Sequence, residues 1–410
     1  MRRKKKLFPV WIVLGLIIII CVGIAVLISV PGEQEESTSS SEIASGTSSA
    51  ESVSSGGQLP ENRIPAAWND NGIFADSYEK AYDRLEQMTL EEKIGQLLLV
   101  RCPLGDAAKT ARQYHLGGYV LFGRDFDGKS REEVRQKILS CQEASDIPML
   151  MAVDEEGGSI VRISSNSQLA DHRFRSPQDL YQSGGLDAIR ADASEKAALL
   201  KELGLNLNLA PVADVSTDPA DYIYARTLGK PAEETAAYVS SVVETNQKAG
   251  ISSALKHFPG YGTNVDTHTG ISIDKREYSV FQNTDFLPFQ AGIDSGVETI
   301  LVSHNIVTCM DEDRPASLSP EVHRILREEL HYTGLIMTDD LAMEAIASYS
   351  GEDTPAVAAV LAGNDLLITT DYQSAYDSLK RAAEEGRVSQ NQIDHAVFRI
   401  LAMKYHTGIL

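Results

Sequence analysis

Ser253-Ala-Leu-Lys-His257 is a short, mostly apolar run that ends on two ionisable side chains, and Phe258-Pro-Gly260 follows at once. An amphipathic stretch from Glu233 to Ala249 precedes it. The pair reads as a helix feeding a buried strand that is stopped by proline. The alternation repeats along the chain. Apolar runs recur at Gly118–Phe122, Met149–Asp154, Leu207–Val212, Thr299–His304, Leu335–Asp339 and Leu366–Thr370. A first one lies within or just after Gly95–Val100, behind a helix that Thr89-Leu-Glu-Glu92 opens as a capping box. Helical patterns at Arg131–Ala144, Ile189–Leu203 and Pro355–Ala362 fall between the runs. Eight strands separated by helices predict an α/β fold, a (β/α)8 TIM-type barrel. The alternative, an open doubly wound sheet, would carry a phosphate-cradling glycine fingerprint after its first strand, and the sequence has none.

Outside the barrel, Arg2, Arg3, Lys4, Lys5 and Lys6 precede an uncharged stretch from Phe8 to Val30 rich in Ile, Val and Leu. That length crosses ~30 Å of hydrocarbon as a helix. The basic flank predicts cytoplasmic residues 1–7, a transmembrane helix over 8–30 and an extracytoplasmic remainder. A cleaved signal peptide or lipoprotein signal is the competing reading. Ile20 before Cys21, and the lack of a small-x-small site, weigh for an uncleaved anchor. Residues 31–62, rich in Ser, Glu, Gly and Thr, read as a disordered stalk. Residues 63–410 are left as a single folded domain. The net charge of −21 and the absence of a basic stripe exclude a nucleic-acid partner. Cys102, Cys141 and Cys309 show no metal-ligand spacing. They are expected as buried free thiols, with one disulfide left open.

Polar residues gather where the strands finish: Asp154, Asp214, Lys256, His257, His304, Asp339 and Asp340. In a parallel barrel these ends share one face, so the side chains converge over its mouth. Ionisable groups at apolar strand ends cost stability unless paired, which favours function for the set. Singly, Asp339 or Asp340 could instead cap a helix starting at Leu341. The loop from Lys256 to His268 is turned tightly by Pro259, Gly260 and Gly262. Asp266 and His268, two apart, can form a carboxylate–imidazole pair that raises the histidine pKa and keeps a proton ready for a leaving group. With a second carboxylate across a cleft, that supplies the acid and the nucleophile of a retaining glycosidase. A metal site built from His257, Asp266, His268 and His304 is the rival, but the spacing fits neither HExxH nor a facial triad. No G-x-S-x-G elbow supports a serine hydrolase.

From Met88 onward the chain resembles glycoside hydrolase family 3, in its β-N-acetylglucosaminidase branch. The likeness rests on ordered blocks: Met88–Leu97, Asp154-Glu-Glu-Gly-Gly158 with Arg162, Ala210-Pro-Val-Ala-Asp214 with Arg226, Lys256-His-Phe-Pro-Gly260, Asp266-Thr-His268 and Thr338-Asp-Asp-Leu341. Ser159, Tyr261 and Gly270-Ile-Ser depart from the branch's usual residues. The resemblance implies that Asp339 is the nucleophile of a covalent glycosyl-enzyme and that His268 is the acid/base, completed by Asp266. It implies that Asp154, Arg162, Arg226, Lys256 and His257 bind the sugar's hydroxyls and acetamido group. It implies an exo-acting, retaining β-N-acetylglucosaminidase that needs no metal or organic cofactor. The expected partners are a GlcNAc-containing glycan, such as a cell-wall fragment, and the membrane through the N-terminal helix. Phosphorolysis of the same glycosides, a β-glucosidase and a silent glycan-binding module stand as alternatives.

Overall fold

The computed structural model describes residues 63–262, 271–342, 346 and 348–410. In chain order its strands are β1 (Leu98–Arg101), β2 (Gly118–Leu121), β3 (Leu150–Val153), β4 (Leu207–Asn208), β5 (Ser252–Phe258), β6 (Ile273–Asp274), β7 (Thr299–Val302), β8 (Ile306–Val307), β9 (Leu335–Thr338) and β10 (Leu367–Thr369). Eight of them form one sheet in the order β10-β1-β2-β3-β4-β5-β7-β9, and its neighbours run parallel. A bridge from Met337 of β9 to Leu366 joins the two ends of the sheet, so it closes into the expected barrel. Every residue of β2, β3, β5, β7, β9 and β10 is buried, as helix-covered parallel strands require.

The helices form where capping and apolar spacing agree. Thr89 accepts from the Glu92 amide while Glu92 accepts from the Thr89 amide, the predicted capping box. Helices at Arg131–Ala144 and Pro355–Ala362 have the bounds read from the sequence, and Ala232–Ala249 starts one residue earlier than read. The helix ending at Leu203 starts at Pro177, and Gly184 and Gly185 interrupt its helical geometry.

Apart from β5, which extends one residue past its run at each end, most strands are shorter than their apolar runs. The run from Leu207 pairs only through Asn208, because Pro211 has no N–H to offer a ladder, and contact with β5 resumes at Val212. β6 and β8 pair with each other apart from the barrel. They are too short to have left a periodic signal. Cys102 and Cys141 are buried free thiols, but Cys309 is exposed, a correction to the expectation for it: it lies in the turn after β8. The stretch Phe8–Val30 and the stalk lie outside the described residues. No helix among the described residues is long and apolar enough to cross a membrane.

Candidate active site at the strand ends

Asp154, directly after β3, and Lys256 and His257, within β5, meet over the barrel mouth. Alternation along a strand would send Lys256 and His257 to opposite faces. The β5–β7 register shifts between Leu255 and Phe258, and both side chains line one cavity. Such an irregularity re-aims side chains beside active sites. The Lys256 ammonium donates to Asp154 Oδ1 at 2.6 Å and contacts Glu156 Oε1 at 2.6 Å. Arg226, in a short turn after β4, donates to the two Glu156 oxygens at 3.0 and 2.7 Å. Burial opposes charge on Glu156, yet Lys256 and Arg226 overcome it and hold its pKa at about 2. Burial likewise works against the Lys256 ammonium, and Asp154 and Glu156 keep its pKa above the usual value.

His257 is fixed from both sides. Its Nδ1 lies 2.8 Å from Asp214 Oδ2 and its Nε2 lies 3.2 Å from Arg226 Nη2. A guanidinium can only donate, so Nε2 accepts and Nδ1–H donates to Asp214. Asp214 also accepts from the Tyr261 amide at 2.7 Å, which ties the turn after β5 to the segment that follows β4. His304 has Nδ1 2.7 Å from Ser317 Oγ and Nε2 3.1 Å from the Asp340 carbonyl. With these ring nitrogens engaged, His257 and His304 do not offer the metal ligands considered above. Among the described residues, Glu92, His115 and Asp146 are the group whose ligand atoms cluster. They lie away from the cavity lining.

The aspartates after β9 separate into two roles. The Asp340 carboxylate accepts from the Ala342 and Thr370 amides at 3.0 and 3.1 Å and from the Thr370 hydroxyl at 2.8 Å. These bonds hold the turn, and Asp340 lines the cavity alongside Asp339. Asp339 lines the cavity, and its Oδ1 accepts from the Asp340 amide at 2.8 Å. The cavity encloses about 310 Å³ and brings Asp154, Arg162, Arg226, Lys256, His257 and Asp339 together. Asp266 and His268 lie outside the described residues. The sequence reading missed Glu156 as the hub of the ion pairs and Asp214 as the partner of His257. It also missed Arg101 and Phe122 on the opposite wall. Glu155, fully buried, accepts from the Arg162 and Ile163 amides at 2.7 and 2.8 Å, and this bends the chain that carries Arg162.

A closed (β/α)8 barrel with a carboxylate and a charge-paired polar wall at the C-terminal ends of its strands has the plan of a barrel enzyme. The chain belongs to glycosyl hydrolase family 3: residues 89–403 match the model described as the glycosyl hydrolase family 3 N terminal domain. It is 28% identical over 330 residues to beta-hexosaminidase LpqI of Mycobacterium tuberculosis, covering 76% of this chain and 82% of that one. It is 31% identical over 268 residues to a beta-hexosaminidase of Nitrosomonas eutropha, covering 64% and 76%. A glycoside hydrolase family 3 beta-N-acetylglucosaminidase from a Paenibacillus species superposes with a TM-score of 0.72 at 30% identity. The match covers 78% of this chain and 63% of that longer one.

Proposed function

We propose that the protein is an exo-acting, retaining β-N-acetylglucosaminidase that removes terminal β-linked GlcNAc, with cell-wall fragments as its natural substrates. The observation that carries this is the position of Asp339 in the same cavity as the Asp154–Lys256–Glu156–Arg226 cluster. The cluster gives a row of fixed donors and acceptors for sugar hydroxyls, and Asp339 lines the same cavity. In the first step Asp339 attacks the anomeric carbon while His268, oriented by Asp266, protonates the departing oxygen. In the second, water loses a proton to His268 and releases the sugar with retained configuration. Lys256, Arg226 and His257 position the ring through donors and acceptors already locked by Asp154, Glu156 and Asp214, so little reorganisation is needed on binding. Arg162 completes the set on the sugar.

The domain is carried outside the cell on a helix over residues 8–30 and a stalk over 31–62, with residues 63–410 as the catalytic barrel. The basic residues before the helix and the uncharged run of Phe8–Val30 support that topology. The activity is tested with p-nitrophenyl N-acetyl-β-glucosaminide against the matching β-glucoside. Preference for the acetamido sugar is expected, and preference for the glucoside overturns the substrate class.

A further inference from the structure

Glu298 stands at the floor of the barrel, where the strands begin. It directly precedes β7, and Ser252 opens the neighbouring β5. The two are 3% and 2% exposed, and both line a cavity of about 480 Å³ at the end of the barrel away from Asp339. That volume falls in the range of small-molecule sites. Among the described residues of its lining, Glu298 is the one carboxylate, there is no lysine or arginine, and His406 is the one imidazole. His406 is exposed and leans on the Phe74 ring, with 5.3 Å between centroids.

Three helices end on this cavity. Gly250, Ser295 and Thr407 are the C-caps of the helices Ala232–Ala249, Phe286–Asp294 and Gln390–His406, and all three line it. A helix C-terminus carries roughly half a negative charge. Lys201 donates to the Ala249 carbonyl at 3.0 Å and answers the first of these ends. The other two close on hydroxyls, which add no positive charge: Ser295 donates to the Ala291 carbonyl at 2.8 Å and Thr407 to the Met403 carbonyl at 2.9 Å. The helix ends therefore set a negative field around a buried carboxylate. Glu298 accepts from the Ser253 amide at 3.1 Å, and no cation offsets the burial that raises its pKa to about 7. An ionised carboxylate shut in without a counter-charge costs stability. Among the described residues Ser252 Oγ also finds no hydrogen-bond partner, and it is shut off from water.

We propose that this floor cavity binds a small organic cation whose ammonium group pairs with Glu298. The charge of the ammonium matches the carboxylate and the helix ends, and its three N–H donors leave one for the Ser252 hydroxyl. A bare divalent ion fits worse, because calcium takes about six to eight oxygens and the lining has one carboxylate to give. The net charge of −21 draws cations toward the chain.

The test is a calorimetric titration of the full chain at pH 8, where Glu298 is mostly ionised, with cyclohexylammonium chloride and with cyclohexanol as its uncharged match. Saturable heat is expected from the ammonium, with the alcohol at least about tenfold weaker, the loss of one charge-assisted contact. Glu298→Gln keeps the shape of the side chain and should weaken ammonium binding by about tenfold or more. Should that variant melt below wild type, Thr407→Trp, which fills the cavity from its rim, carries the test and should lose the heat. No saturable heat from the ammonium in wild type overturns the site, and so does equal affinity for the alcohol. Heat retained in both variants would put the cation elsewhere on the acidic surface and overturn it as well. Heat from calcium chloride with none from the ammonium would overturn the organic cation.

Discussion

Glu156 shares its oxygens between Lys256 and Arg226, so removing its charge leaves Arg226 without its carboxylate and Lys256 with Asp154 alone. Glu156→Gln is expected to cost about 3 kcal/mol at neutral pH, the low end for breaking a buried pair. Although burial pushes its pKa up, the two cations hold it at about 2, below the ordinary 4.5. The folded state thus binds the proton less readily than the unfolded one. The stabilisation is complete above pH 4.5 and fades as pH falls toward 2. Melting wild type and Glu156→Gln at pH 7 and pH 3 should show the gap in Tm narrowing in acid. A gap that stays constant would contradict a folded-state pKa held below the unfolded one. The aspartates after β9 make a second residue-scale contrast. Asp339→Ala should lower kcat at least about 10³-fold with little change in Tm. Asp340→Asn should lower Tm first, because its oxygens hold the Thr370 and Ala342 amides. Asp154 could be read from the sequence, being the first ionisable residue after an apolar run. Glu155 and Glu156 could not be told apart, because the same side chain faces the loop at one position and the cavity at the next. Only the turn that follows decides which. Arg101 drew no notice because the end of the first strand was not fixed by its apolar pattern.

That turn belongs to the scale of elements. Gly157 has φ +105° and Gly158 φ +63°. A Cβ on Gly157 would sit 2.2 Å from the Arg175 carbonyl oxygen. Gly157→Ala therefore meets both a disfavoured backbone and a fixed atom. It should displace the segment from Glu156 to Ile163, with KM rising several-fold and Tm falling. Steady-state kinetics and a thermal melt check this, and unchanged values for both would contradict it. Most barrel strands were evident from their apolar runs, and the helices from caps and spacing. Strand ends were overextended, since hydrophobicity continues where pairing stops, as at Pro211. The β5 register shift that turns Lys256 and His257 to one cavity depends on β7 as a partner, so no local pattern announces it. The β6–β8 pair was silent for the same reason. It forms between residues that are distant in sequence and holds through bonds such as Ile306 N–H to the Ser272 carbonyl at 2.8 Å.

For the whole molecule, the barrel separates a reactive mouth from a floor that carries its own buried charges. Glu298, just before β7, is buried and accepts from the Ser253 amide at 3.1 Å. Burial lifts its pKa to about 7 from the ordinary 4.5. Here the folded state holds the proton more tightly, so stability falls as pH rises from 4.5 to 7. Glu298→Gln should melt higher than wild type at pH 8 and close to it at pH 4.5. The reverse order would show that ionised Glu298 is stabilising. At the other end of the chain, full-length protein should sediment with membranes, while residues 63–410 should remain in the supernatant with full activity. Recovery of both in one fraction would contradict the anchor over residues 8–30. The most direct test of the catalytic reading is mass spectrometry of the protein quenched during reaction with a slow, ring-fluorinated N-acetylglucosaminyl fluoride. One glycosyl adduct on the peptide containing Asp339 is the predicted result. Turnover with inverted product and no adduct, or an adduct on another residue, would contradict it.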